Sequence, residues 1–190
     1  MTKVKIGFKR LNDDAILPTK AHPTDSGFDL YASADVIIEP GETVIVPTGI
    51  AVELPIGYEA QIRPRSGVTA KTKLRVQLGT IDQDYRGEVG VIVDNIELPT
   101  YFNEYFGAGL PYISESIGAS VRTLDGGSEL LDQRKYTMKK GSYLIREGDR
   151  IGQLVVQALP QFEAVEITEF KADSNRGEGG FGSTGVREDE

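Results

Sequence analysis

The chain has 190 residues, no cysteine, one histidine (His22) and a formal net charge of −8. That excludes disulfides, thiolate chemistry and a multi-histidine metal centre within one chain, and it argues against a general nucleic-acid binder, whose footprint is basic. The length suits one domain with a real core; with no apolar leader at residues 1–5 and no apolar run of membrane-spanning length, a cytoplasmic protein is expected.

In chain order, Thr24-Asp25-Ser26-Gly27 leads into Phe28-Asp29-Leu30-Tyr31, an alternating run that reads as a strand. A Gly beside such a run suggests close backbone approach. Short strands are expected at 36–38, 43–46, 50–54 and 59–63, separated by the turns Glu39-Pro40-Gly41-Glu42 and Pro55-Ile56-Gly57-Tyr58. Arg63-Pro64-Arg65-Ser66-Gly67 ends the last of them, and 68–71 is a turn or short helix. Residues 74–78 and 89–93 are rich in β-branched and apolar side chains, and Asp84-Tyr85-Arg86-Gly87 between them has turn composition, so a β-hairpin is expected. Further strands are expected at 142–145, 150–156 and 164–168. Such spacing points to an all-β barrel or sandwich.

Two stretches break the rhythm. Residues 96–140 show little periodicity but hold Tyr101, Phe102, Tyr105 and Phe106. So long a span reads as an insertion packed on its own subunit or a neighbour, or as a partner-binding surface. The tail from Arg176 to Gly185 has five glycines in ten residues. Gly-rich backbone can wrap phosphate oxygens, hydroxyls donate to them, Arg pairs with them, and Phe181 offers a face to a base. A frayed terminus is the alternative. The spacing is not that of a P-loop.

Three constellations could carry chemistry. The hairpin tip gathers two carboxylates, a tyrosine and an arginine, a costly set to keep for packing alone. Arg65, Ser66 and Gly67 make a small anion site or a solvated turn. Gln153 is polar among apolar neighbours in Gly148-Asp149-Arg150-Ile151-Gly152-Gln153-Leu154.

Five segments in this order resemble the five motifs of the trimeric dUTPase family: 25–32, 64–67, 79–88, 148–155 and 176–185. The third and fifth are long and specific, and the resemblance covers nearly all of the chain except 96–140. That insertion resembles the extra segment of some bacteriophage members. The resemblance implies a jelly-roll-like β fold, with a domain at 1–172 containing the insertion and a Gly-rich lid arm at 173–190. It implies a homotrimer whose active sites are assembled from three subunits. It also implies Mg²⁺-assisted hydrolysis of dUTP to dUMP and pyrophosphate, in the host cytoplasm if the gene belongs to a phage.

By the same resemblance, Asp82 orients the attacking water. Tyr85 lies under the deoxyribose and excludes a 2′-hydroxyl, with Ile81 supporting that floor. Main-chain groups of the hairpin, around Gly79 and Thr80, read uracil. Gln77 stands where many members carry a base-reading Asn shortly before the third motif, and it is the candidate substitute. Arg65, Ser66, Gly67 and Gln153 are phosphate contacts, and Asp29 is an outer-shell partner of Mg²⁺ through water. Phe181 stacks on uracil, with Arg176, Gly182, Ser183 and Thr184 in the lid. Asp84 is left as a turn-stabilising residue. The alternatives are a nucleotide-responsive regulator binding a protein partner through 96–140, and dCTP deaminase, which shares the fold.

Overall fold

The computed structural model describes residues 4–98, 101–106, 110–115, 117–118, 120–131, 138–172, 174 and 177, with backbone alone for 101–118 and 138. The strands run β1 (Gly7–Arg10), β2 (Phe28–Tyr31), β3 (Val36–Ile38), β4 (Thr43–Val46), β5 (Ile50–Glu53) and β6 (Tyr58–Arg63). A short helix, α1 (Ser66–Lys71), is followed by β7 (Leu74–Val76), β8 (Gly79–Ile81) and β9 (Val91–Asn95). Next come β10 (Tyr101–Phe106), β11 (Leu110–Glu115), β12 (Ile117–Gly118), β13 (Ser120–Arg122), β14 (Ser128–Leu130) and β15 (Met138–Lys139). The series ends with β16 (Tyr143–Ile145) and β17 (Arg150–Ala158). The all-β expectation holds, and the strands expected between 36 and 63, at 142–145 and at 150–156 are present, differing only at their ends.

Three sheets carry the core. One has the order β2-β17-β6-β8, the second β14-β13-β16-β3, and the third β4-β9-β7. Alternation supplies the inward faces. Val91, Val93 and Asn95 of β9 are buried while Ile92 and Asp94 point outward. Ala60 and Ile62 of β6 meet Leu154 of β17, together with Leu30, Ile38, Val46, Leu74 and Ile151, in one cluster. Each such Leu, Ile or Val removed from water contributes about 1.5–3 kcal/mol. Asn95 is the exception that the pattern conceals. Its amide donates to the carbonyls of Ile38 and Gly141, both at 3.0 Å, and accepts from the Glu97 N–H at 3.0 Å. A buried amide so satisfied pins β9 to β3 and to the turn before β16.

Three expectations are corrected. The hairpin of 74–78 and 89–93 exists, with Leu74 opposite Asn95 and Val76 opposite Val93. Its connecting segment, however, is not a tight loop: β8 leaves it and pairs with β6, Gly79 opposite Ile62 and Ile81 opposite Ala60. Second, 96–140 is not an aperiodic loop. β10 and β11 form a hairpin, and β13 and β14 join the sheet of β16 and β3. Val121 there is fully buried with Leu144, and Arg122 reaches Glu97 at 2.5 Å and lies over the Tyr143 ring. Third, 164–168 forms no strand. Residues 161–172 are exposed throughout, Phe162, Val165, Ile167 and Phe170 among them. Alternation alone makes no strand without an edge to pair with.

By its contacts the chain divides into two compact units, residues 1–160 and 161–190. The expected lid, 173–190, lies in the smaller one.

Arg146 ties β14 to the residue before β3, pairing with Asp35 at 2.5 Å and with Glu129. The Asp35 carboxylate also accepts the Glu147 N–H at 2.9 Å. That bond, opposed by desolvation and supported by Arg146, holds the Asp35 carboxyl below its ordinary value. A depressed folded value means the stabilisation is full above the unfolded value, near pH ~4, and fades as pH falls through the folded one. Because the pair is half exposed, Asp35→Asn should cost no more than about 1 kcal/mol at pH 7. The cost should disappear in acid. Urea unfolding at pH 7 and at pH 3 checks this; an equal cost at both would show that the carboxylate's charge plays no part.

Candidate active site

Two cavities hold most of the expected site residues, and they share none. The first, about 650 Å³, is lined by residues of β2, α1 and its preceding turn, the β13–β14 turn and the start of β17. The second, about 210 Å³, lies under the segment carrying Asp82 and Tyr85.

The first cavity is organised by Asp29. Its carboxylate faces Nε of Arg65 at 3.0 Å and Nε of Arg150 at 3.6 Å. Arg65 also donates to the Arg150 carbonyl at 3.2 Å, and the Arg150 guanidinium lies over the Tyr31 ring. Gln153 sits opposite both Asp29 and Arg63 in the ladder and donates to the Pro64 carbonyl at 3.0 Å. Gly27 is required by this arrangement. A Cβ there would lie 2.8 Å from the Gln153 amide oxygen and 3.2 Å from Val155. Ser66, Gly67 and Val68 of the first helical turn also line the cavity, and Arg65 before them provides no side-chain cap. Their N–H groups therefore remain available to an anion.

Arg150 and Gln153 are three residues apart, so in a regular strand they would face opposite sides. The ladder between β17 and β2 shifts register between Arg150 and Gly152. One extra residue turns Arg150 to the same side as Gln153. Arg150, Lys71, Asp125 and Asp149 all line this cavity and were not among the expected site residues. Arg150 lies within the fourth motif, but period-2 reasoning places it on the wrong face; nothing in the sequence signals Lys71 or Asp125.

The second cavity is lined by Gly79, Thr80, Ile81, Asp82 and Tyr85, with Ile62 and Glu88 among its other walls. β8 is the edge strand of its sheet, so the backbone N–H and C=O groups on one side of Gly79–Ile81 have no ladder partner. The Tyr85 N–H donates to the Asp82 carbonyl at 3.1 Å, and the phenol donates to the Glu88 carbonyl at 2.9 Å. Gly87 is dictated by the ring: a Cβ would lie 2.4 Å from the Tyr85 oxygen. The Glu88 carboxylate accepts the N–H groups of Gly49 at 2.7 Å and Thr48 at 3.1 Å, which fastens the base of the segment. Asp82 is exposed, and its carboxylate has no ion pair or hydrogen bond among the described residues.

Asp84, the residue expected to stabilise the turn, makes no side-chain hydrogen bond or ion pair among the described residues; other groups do so. Arg86 donates to the carbonyls of Gln83 and Tyr85, both at 2.9 Å, and the Gln83 side chain accepts the Gly57 N–H at 2.7 Å. Gln77 is not brought to the cavity. Its backbone continues the ladder to Ile92, and its amide donates to Asp94, on the outward face of β9. Arg176, Phe181, Gly182, Ser183 and Thr184 lie outside the described residues.

Paired cations and free helix N–H groups in one cavity suit a phosphorylated small molecule, and an edge strand with a clamped tyrosine in the other suits a flat hydrogen-bonding group. The comparisons specify the family. The dUTPase family model matches residues 13–100. The deoxyuridine 5′-triphosphate nucleotidohydrolase of Gloeothece citriformis is 36% identical over 98% of this chain and 100% of its own length. The Staphylococcus bacteriophage 80alpha dUTPase with dUPNHPP superposes with a TM-score of 0.83 at 32% identity, covering 97% of this chain and 100% of that one. A dUTPase mutant from phage phi11 of S. aureus, described for its coordination of a structural Mg(II) ion, gives 0.77 at 30% identity, over 89% and 100%. The chain belongs to the dUTPase family.

Proposed function

We propose that the protein hydrolyses dUTP to dUMP and pyrophosphate, limiting uracil in DNA and supplying dUMP. The observation that carries this reading is the pairing of two unlike cavities on one family scaffold: an edge strand with an exposed carboxylate, and a separate cation-bearing pocket. At the edge strand, the free backbone side of Gly79–Ile81 reads the uracil edge. A base recognised by hydrogen bonds rejects analogues that leave those groups unpaired. The Tyr85 ring, fixed by its bond to Glu88, and Ile81 form a floor too close for a 2′-hydroxyl. Asp82 holds the attacking water and takes its proton as the water oxygen bonds to the α-phosphorus and the bond to the pyrophosphate oxygen breaks. In the cation-bearing pocket, Arg65, Ser66, Gly67 and Gln153 take the phosphates.

The residues fit Mg²⁺ held mainly by phosphates and water. Among the described residues no cluster of three or more His, Cys, Asp or Glu could cage a metal directly. Both Asp29 oxygens already face guanidinium groups, leaving that carboxylate to accept from metal-bound water. Mg²⁺ bound there would neutralise phosphate charge, and its reluctance to dehydrate suits such a setting.

We take the complete site to be assembled from the two cavities of different copies, which share no lining residue within one chain. We take the assembly as a homotrimer, with a domain at 1–172 and the arm 173–190 closing over the nucleotide. In that arm Phe181 covers the base, and Arg176, Gly182, Ser183 and Thr184 meet the phosphates. No helix among the described residues is long and apolar enough to cross a membrane, and we place the protein in the cytoplasm, the host's if a phage encodes it. Its relatives include proteins of bacteria as well as of phages.

The other readings are less favoured. A deaminase would need a different base pocket with a catalytic glutamate, and Glu88, which lines this cavity, already accepts two backbone N–H groups. A regulator acting through 96–140 is not required to explain that stretch, since β13 and β14 belong to a core sheet. A pyrophosphate-release assay with dUTP, UTP, dCTP and dTTP, with and without Mg²⁺, tests the proposal. Release from dUTP alone is expected. Ammonia from dCTP, or equal rates with UTP, would overturn it.

A further inference from the structure

We propose that Asp125, in the turn between β13 and β14, is a specificity residue of the phosphate cavity: its carboxylate favours a triphosphate that carries a divalent cation over the bare polyanion. This rests on the reading of that cavity as the triphosphate site.

Asp125 lies outside the five family-like segments, yet Asp125 and Leu124 wall the same cavity as Asp29, Arg65 and Gln153. The turn is anchored from two sides. Leu124 packs on the main core cluster, and the Gly126 backbone lies against α1, where an added Cβ would be 3.5 Å from that of Lys71. Within the turn, Oδ1 of Asp125 accepts the Thr123 hydroxyl at 2.6 Å and the Gly127 N–H at 2.9 Å. The Thr123 hydroxyl, then the Gly127 N–H, hold its carboxyl below the ordinary value. The group is therefore a fixed anion, with Oδ2 unpartnered among the described residues.

The cavity's charge balance gives that anion its consequence. Three cations, Arg65, Lys71 and Arg150, line it with four carboxylates, Asp25, Asp29, Asp125 and Asp149. Asp29 is matched by two guanidinium groups. Asp125 has no ion pair among the described residues, and the lining carries one net negative charge. A bare nucleoside triphosphate brings about four negative charges and its magnesium complex about two, so a fixed carboxylate repels the first more than the second. Any hydrogen bond from a metal-bound water to Oδ2 adds to the same preference.

The test is calorimetric titration of the non-hydrolysable α,β-imido analogue of dUTP into wild type and Asp125→Asn, once with Mg²⁺ and once with EDTA. Asn keeps an Oδ1 acceptor for both turn hydrogen bonds, so the charge changes while the turn is retained. The ratio of the Kd without Mg²⁺ to the Kd with it should fall by about three- to tenfold in the variant. Asp125→Ser, a second route to removing the charge, should give the same fall. Thr123→Val, which loosens the turn but keeps the charge, should leave the ratio unchanged. An unchanged ratio in both Asp125 variants, or a Thr123→Val shift as large as theirs, overturns the proposal and leaves the triphosphate reading intact. Failure of wild type to bind the analogue in either condition removes both.

Discussion

Asp82→Asn is expected to leave dUTP bound and to lower its turnover by about 10²–10⁴-fold, the range for loss of a positioned acid–base group. The carboxylate is exposed and has no ion pair or hydrogen bond among the described residues, so nothing in the fold depends on its charge. Asn preserves shape and one acceptor oxygen but takes up no proton at neutral pH. The backbone around it also has its own supports: Tyr85 N–H to the Asp82 carbonyl, Tyr85 hydroxyl to Glu88, and the Glu88 carboxylate to Thr48 and Gly49. The effect should therefore fall on kcat with KM nearly unchanged, the signature of an interaction made in the transition state. Single-turnover kinetics and thermal unfolding on the same preparation separate the possibilities. Turnover within a few-fold of wild type would falsify the assignment of Asp82 as base.

Truncation after Ala172 is expected to abolish dUTP hydrolysis and leave the larger unit folded. Among the described residues the buried core residues all lie before residue 160, and 173–190 falls within the smaller unit. What it removes is Arg176, Phe181, Ser183 and Thr184 on glycine-rich backbone. That segment is proposed to exclude water from the phosphates and to cover the base. An open pocket leaves charge–phosphate interactions screened by solvent, where they are several-fold weaker than in a closed one. Circular dichroism and the urea midpoint should match wild type while pyrophosphate release falls to background. A truncated protein that turns over dUTP normally would place the lid elsewhere, and one that unfolds would show the segment to be structural.

Much of this was legible in the residues. Period-2 alternation and β-branched runs located the strands of the core because each needs only its own side chains to choose a buried face. Turn glycines and prolines placed their ends. Pairing was not legible, because it is a contact between distant parts of the chain. Val76 and Gly79 are three residues apart and both extended, yet one pairs with β9 and the other with β6. Residues 120–130 lack a long alternating run, but three-residue strands need none once β16 supplies an edge for β13 and β13 one for β14. Residues 164–168 have the alternation and no such edge among the described residues.

The same division runs through the candidate site. The amino-acid sequence alone determined the chemistry available: the carboxylate, tyrosine and glycines of 79–88, the Arg-Ser-Gly of 65–67, the absence of thiolates, and the order of segments that resembles the dUTPase family. Tertiary structure decided which of these groups meet. A register shift in β17 brought Arg150 beside Gln153. The hydrogen bond from Gln77 to Asp94 took an expected base reader out of the cavity. The β13–β14 turn, carried in by pairing with β16, set Asp125 on the cavity wall with Arg65. Local pattern reports what a side chain is and which face of its own strand it takes. What that side chain touches depends on partners dozens of residues away, and only the packed chain settles it.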